Sequence, residues 1–361
     1  MAFQSRMKVR PNPSPVPADK RQASLESPSF GKVFTDHMAV IHWNAVVGWH
    51  DGSVRARTPF QLDPACAVLH YAQEIFEGMK AYKAASGEVV LFRPQENARR
   101  FARSAQRMAM PELPEDLFLH AVQTLVETDL AWIPDGDGSL YLRPFMFASE
   151  AFLGVRPADE YIFCVIACSV GPYFKGGAKP IKVWISDSLT RAAPGGTGAA
   201  KCGGNYAASL LAQAEASHEG CDQVVFLDAV ENLWIEELGG MNLFFVMDDG
   251  TVVTPPLGGT ILPGITRDSV ITLARDRGLV VEERPFSLAE WKSTAANGTL
   301  CEAFACGTAA AIAPIGEVRS KVGSFAIGRG EIGPLTAALR NELTNLQRGI
   351  EPDRHGWLLK V

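Results

Sequence analysis

The stretch Glu160 to Val170, EYIFCVIACSV, carries its only charge at its first residue and is otherwise almost free of polar groups. Such a run of aromatic, β-branched and small apolar residues reads as a buried strand, and a buried strand needs a covered sheet around it. Gly171 to Pro180 follows at once, with three glycines and two prolines, and marks the best internal boundary. A chain of 361 residues is expected to form about two domains. The sequence is therefore divided into a floppy tail at 1–28, a small N-terminal α/β domain at 29–170, an interdomain loop at 171–180 and a larger C-terminal α/β domain at 181–361.

In the first domain, Ala39 to Trp49, Glu88 to Phe92 and Leu140 to Ala148 read as strands. Ala98, Phe101, Ala105 and Met108 recur at helical spacing up to Met110-Pro111, and Leu117 to Leu130 reads as a second amphipathic helix. Beyond the boundary, strands are expected at Ile181 to Ser186, Gln223 to Asp228 and Leu233 to Met247. Tyr206 to Ser217 is an Ala-rich helix, and Asp248-Asp249-Gly250 is a hairpin turn into Thr251 to Thr254. Thr266 is expected to cap a helix over Val270, Leu273 and Ala274 that Gly278 stops. Strands joined by hairpins, with helices interspersed, favour an α+β fold over a regular parallel βαβ sheet.

Composition removes several classes of function. The 34 basic and 40 acidic residues give a net charge of −6, without the electrostatic footprint of a nucleic-acid or anionic-membrane binder. The longest uncharged apolar stretches, Tyr161 to Phe174 and Ala303 to Gly316, are too short to span a bilayer. Seven cysteines, an odd count with no C-x-x-C pair, suggest reduced thiols in the cytosol. Arg6, Lys8 and Arg10 faintly resemble a transit peptide, but Pro11, Pro13, Pro15 and Pro17 would break its helix. No metal is expected: His37, His42, His50 and His70 form no H-E-x-x-H, and Cys164 and Cys168 lack partners at zinc spacing.

The chemistry concentrates in a few segments. In PGGTGAAKCGGNYA (194–207), five glycines flank Lys201 and leave the backbone open to a flat or anionic ligand. It is not a phosphate loop, because Ala200 precedes the lysine and Cys202 follows it. A mobile surface loop with a solvated lysine is the plainer alternative. Glu236 and Glu237 form an acidic pair in an apolar run, so one carboxylate should point inward and need a partner, unless both are wetted on an edge strand. Leu262 to Arg267 runs from a turn into a helix N-terminus, a natural phosphate site that an ordinary capped helix would also resemble. Cys306 to Ala310 is a small-residue turn suited to an anion or to close packing. Arg100, Arg103 and Arg107 share a helix face, either a solvated stripe or the source of a phosphate clamp.

Seven segments in order resemble the branched-chain amino acid aminotransferases, pyridoxal-phosphate enzymes of fold type IV. They are YAQEIFEGMKAYK (71–83), FRPQENARRFARSAQRM (92–108), YLRPF (141–145), GGTGAAKCGGNYA (195–207), EELGGMNLFF (236–245), ILPGITRDS (261–269) and EAFACGTAAAIAPIGEV (302–318). The resemblance implies a two-domain α+β fold with the cofactor at the domain interface. It makes Lys201 the residue that forms a Schiff base with pyridoxal 5'-phosphate and shuttles the proton. Glu237 then faces the pyridine nitrogen, Tyr206 bonds the phenolic oxygen, and Arg100, Ile265, Thr266 and Thr308 form the phosphate cup. For the substrate it implies an aromatic slot of Tyr71, Phe76, Tyr141 and Tyr173, with Tyr71 contributed across a homodimer interface and Tyr173 moving with a lid. Arg143 is matched to the distal carboxylate of glutamate or 2-oxoglutarate, and Ala309 and Ala310 to the substrate α-carboxylate.

Two departures stand out. Ala310 and Ala313 occupy the places of the redox C-x-x-C of mammalian members, and Gly240 stands where some members have threonine. The expected reaction is the cytoplasmic, reversible transamination of leucine, isoleucine and valine with 2-oxoglutarate. Within the fold, a D-amino acid aminotransferase or aminodeoxychorismate lyase is the alternative. Outside it, the alternative is a non-catalytic phosphate- or nucleotide-binding protein.

Overall fold

A strand buried at Glu160–Val170 needs neighbours on both edges. It pairs antiparallel with His37–Asn44 on one side and with Ser139–Ala148 on the other. Phe163 and Cys164, successive residues that point to opposite faces, are both fully buried. One face is covered by the helices Pro94–Arg107 and Glu115–Thr128, whose Phe101 and Phe118 meet Phe163 with ring centroids 5.5 and 5.8 Å away. Each such phenylalanine contributes roughly 2–3 kcal/mol of apolar burial.

The computed structural model describes residues 7–26, 28, 30–173 and 177–361. Arg6 of the expected tail and residues 174–176 of the expected interdomain loop lie outside the described residues. The chain forms two compact units: unit 1 comprises Met1–Tyr173, Ala200–Gly203 and Leu346–Val361, and unit 2 comprises Phe174–Ala199 and Gly204–Asn345. The sequence reading differs on two stretches. Residues 346–361 cluster with unit 1, because Leu358–Lys360 pairs antiparallel with Val89–Phe92. The four residues around Lys201 also cluster there.

Unit 1 holds a nine-stranded sheet among the described residues. Its order is Lys8–Val9, Gly48–Ala56, His37–Asn44, Glu160–Val170, Ser139–Ala148, Met79–Lys83, Val89–Phe92 and Leu358–Lys360, with Glu74–Phe76 pairing beside Ser139–Ala148. Ala39 to Trp49, expected as one strand, is instead a hairpin that turns at Ala45–Val47. The expected floppy tail is docked from Met7 onward. Lys8 pairs with Ser53, Met7 N–H donates to His120 Nε2 at 3.1 Å, and Asn12 N–H donates to His37 Nε2 at 2.8 Å. The helix Ala18–Glu26 begins immediately after Pro17.

Unit 2 also holds a nine-stranded sheet among the described residues. Ile235–Leu238, Gln223–Leu227, Ile181–Ser186, Ala311–Ser320, Leu300–Gly307 and Asn242–Met247 follow one another, and the last pairs back to the first at Glu237 and Asn242. The six strands close into a ring without open edges. Its filling includes Val183, Val225, Leu243, Phe245 and Ile315. Leu233 to Met247, expected as one strand, breaks at Gly239-Gly240, and that turn brings Glu237 and Asn242 opposite each other. Asp248-Asp249-Gly250 makes the expected turn, with Met247 N–H donating to Thr251 O at 2.9 Å. Thr266 does not cap its helix: Gly264 is the N-cap of Ile265–Asp276, and Thr266 lies inside the first turn.

Candidate active site

Unit 1 gathers Lys201, Phe76, Arg100, Tyr141 and Arg143. The helix Pro94–Arg107 and the strand Glu74–Phe76 hold the lysine turn from two sides. Lys201 N–H donates to Ser104 Oγ at 3.0 Å, and Phe76 N–H donates to Lys201 O at 2.9 Å. Lys201 Nζ stands 4.9 Å from the centroid of the Phe76 ring. Of the arginine stripe, Arg103 and Arg107 are exposed, whereas Arg100 is buried. Arg100 gives Nε and Nη2 to the carboxylate of Glu77 at 2.7 and 2.9 Å. Asn97 Nδ2 adds a third bond to Glu77 at 2.7 Å. Burial pushes the Glu77 carboxyl up, but the charge and hydrogen bonds of Arg100, the charge of Lys201 and the Asn97 bond outweigh it and hold it below the usual carboxylate range. Glu77 escaped the sequence reading, although FEGMK contains it.

Arg143 and Tyr141 point to one face of the strand Ser139–Ala148, two residues apart. Arg143 Nη2 donates to the Tyr141 hydroxyl at 2.9 Å, and its guanidinium lies 4.7 Å from the Phe76 centroid and 5.4 Å from that of Tyr141. Its buried Nε has no hydrogen-bond partner among the described residues. Two further expected slot residues are Tyr71 and Tyr173. Tyr71 donates its hydroxyl to Leu153 O at 2.5 Å, and Tyr173 is 50% exposed.

Unit 2 gathers its own set around Glu237, at the point where the ring of strands closes. Glu236 and Glu237 are both buried, so the wetted-edge reading fails. Glu236 Oε1 accepts the Thr260 hydroxyl, and burial pushes its carboxyl up. Glu237 Oε1 accepts from Arg191 Nε at 2.5 Å and from Leu262 N–H at 3.2 Å, and Asn242 Nδ2 reaches Oε2 at 3.4 Å. Arg191 is thus the inward partner that the acidic pair required, 46 residues upstream and carrying no local signal. Its Nη2 also donates to Gly198 O at 2.9 Å, while its buried Nη1 has no acceptor among the described residues.

Asn242 ties this carboxylate to the next helix. Asn242 Nδ2 donates to Leu262 O at 3.1 Å, and a Cβ on Gly264 would overlap Asn242 Oδ1. Glycine there permits the close approach. The helix Ile265–Asp276 that follows has no side-chain hydrogen bond capping its start, so its first N–H groups present the positive end of the helix. Cys306 pairs with Asn242 across the sheet, and Thr308, Ala309 and Ala310 form the turn that follows it. Tyr206 lies in the helix Gly203–His218, and a Cβ on Gly240 would meet its ring at 3.7 Å, an ordinary contact.

Residues 74–318 match the family model described as amino-transferase class IV. The chain is 53% identical over 354 residues to the probable branched-chain-amino-acid aminotransferase of Streptomyces coelicolor, covering 98% of each chain. Among solved structures, it resembles the branched-chain amino acid aminotransferase of Escherichia coli with a TM-score of 0.71 at 31% identity, over 89% of this chain and 98% of that one. The PLP-form, or holo-form, branched-chain amino acid aminotransferase of Thermobaculum terrenum gives a TM-score of 0.72 at 28% identity, over 90% and 98%. The lysine turn, the buried glutamate and these similarities over nearly the whole chain lead to one assignment: the chain belongs to the class IV aminotransferases, among the branched-chain-amino-acid aminotransferases.

Proposed function

We propose that the protein catalyses the reversible transamination of L-leucine, L-isoleucine and L-valine with 2-oxoglutarate, giving branched-chain 2-oxo acids and L-glutamate, with pyridoxal 5'-phosphate as cofactor. The observation that carries this reading is the paired chemistry of the two residue groups: an amine fixed by its own backbone bonds, and a buried carboxylate fixed by an arginine. The residues fit the cofactor. Glu237 offers a carboxylate to a cationic ring nitrogen, Arg191 has a buried donor to spare beside it, and the uncapped helix start suits a phosphate. When bound, pyridoxal phosphate supplies an electron sink for the bond broken at the substrate Cα.

The chain's own residues do the rest. Lys201 would hold the cofactor, its amine serving as the nucleophile, and would move the proton at the substrate Cα as a base. Glu237, kept in place by Arg191 and Asn242, holds a proton at the ring nitrogen, and Tyr206 bonds the phenolic oxygen. Arg100, the Thr308 hydroxyl and the backbone N–H groups of Ile265 and Thr266 hold the phosphate. Backbone N–H groups at Ala309 and Ala310 orient the substrate α-carboxylate. The substrate side chain meets Phe76, Tyr141 and Arg143, with Tyr71 and Tyr173 completing the slot. One slot must accept both leucine and glutamate in turn, and Arg143 suits that requirement. Its guanidinium stacks on two rings, presenting an apolar face beside a cationic edge.

Arg143→Ala is expected to lower kcat/KM for glutamate and 2-oxoglutarate by about 10- to 100-fold, the worth of a hydrogen bond to a charged group. For leucine the loss should stay within about 3-fold. Equal losses in steady-state assays of both half-reactions would contradict the assigned role.

We also place the protein in the cytoplasm as a homodimer, with no nucleic-acid or membrane partner. All seven cysteines are unpaired, six of them buried, which suits a reducing compartment. Among the described residues no helix is long and apolar enough to cross a membrane. Leu69, Leu153 and Val155, near Tyr71, are exposed apolar side chains of the kind that self-association covers. Light scattering should give twice the chain mass, and a monomer at micromolar concentration would remove the dimer from the account.

A further inference from the structure

Glu74 is used by none of the roles above, yet it stands on the strand that grips the lysine turn. Three groups of that turn are held within unit 1. Ser104 Oγ accepts the Lys201 N–H, Phe76 N–H donates to the Lys201 carbonyl, and Glu74 Oε1 accepts the Gly203 N–H. The strand Glu74–Phe76 thus secures the chain at the lysine itself and again two residues on.

The residue type at Gly203 bears on the same contact. It is absent from the glycines with positive φ, so its backbone conformation does not demand glycine. A Cβ there would instead overlap the Glu74 carboxylate oxygen. The missing side chain makes room for an acceptor. Burial pushes the Glu74 carboxyl up, while the Gly203 N–H and the charge of Arg143 pull it back, so an uncharged acceptor of the same shape should serve nearly as well.

We propose that Glu74 is a positioning residue for the reaction: its carboxylate oxygen fixes the Gly203 amide, and with it the direction in which Lys201 leaves the backbone. The kinetic part of the test rests on the transamination proposed above. Misplacing a reacting group by about 1 Å costs on the order of 100-fold in rate. Glu74→Ala should therefore lower kcat at least about 10-fold for leucine and glutamate alike, with KM changed less than about 2-fold. Glu74→Gln, which keeps an acceptor oxygen, should stay within about 3-fold of the parent.

In the apoprotein, amide hydrogen exchange over residues 201–204 should quicken in Glu74→Ala and stay unchanged in Glu74→Gln. If Glu74→Ala does not fold, Gly203→Ala, which drives the carboxylate away, should show the same two effects. Unchanged exchange and kcat in Glu74→Ala or Gly203→Ala would overturn the proposal. So would equal impairment of Glu74→Gln and Glu74→Ala, which would point to the charge instead. A parent enzyme inactive with leucine and 2-oxoglutarate would count against the proposed function, and the exchange result would still decide the role of Glu74.

Discussion

Lys201→Ala is expected to remove transamination altogether, lowering kcat by more than about 10,000-fold, because one side chain acts as both nucleophile and base. The loss should not be one of folding. Lys201 is held through its backbone N–H and carbonyl, to Ser104 and Phe76, and both bonds survive truncation of the side chain. Thermal unfolding of the apoprotein should therefore stay near that of the parent. Borohydride treatment of the loaded parent, followed by peptide mass analysis, should place the pyridoxyl group on Lys201. A label on any other lysine, or residual turnover in the variant, would contradict the assignment.

Glu237→Ala should damage both stability and rate. The Arg191 side chain is 6% exposed, and loss of Glu237 leaves that guanidinium buried without its counter-charge. Breaking such a pair costs about 3–5 kcal/mol, which chemical denaturation of the apoprotein will read. Glu237→Gln keeps the shape and an acceptor oxygen, so its stability loss should be smaller. Its kcat should still fall about 100- to 1000-fold, the usual cost of removing one preorganised electrostatic group. Combining Glu237→Ala with Arg191→Leu should recover much of the lost stability and none of the rate. A Glu237→Gln variant with the parent kcat would remove Glu237 from the chemistry.

How much was legible in the sequence depended on the range of the interaction. Glu160–Val170 and Ile181–Ser186 were read to the residue, because a buried strand writes its own apolar run. The helix Pro94–Arg107 was read from its periodicity, and Lys201 from the glycines around it. Features made by distant partners were not legible. Arg191 meets Glu237 across 46 residues of chain, and Glu77, in the link after the strand Glu74–Phe76, meets Arg100 across 23. Glu302 is a further case: it accepts the N–H groups of Leu335 and Thr336 at 3.0 and 2.7 Å, serving the start of the helix Pro334–Gln347 from a strand more than 30 residues upstream. The tail at 1–28 read as floppy because its composition is polar and rich in proline. Met7 to Asn12, within that tail, are tied by a strand pairing and by two histidines contributed by other parts of the chain.

The most direct test of the proposed function is an ultraviolet–visible spectrum of the protein loaded with pyridoxal phosphate, before and after L-leucine and then 2-oxoglutarate. The account predicts that L-leucine removes the visible band of the bound cofactor and that 2-oxoglutarate restores it, which reports both half-reactions in one cuvette. A bound band that ignores L-leucine but responds to D-alanine would contradict it, as would a protein that acquires no band at all.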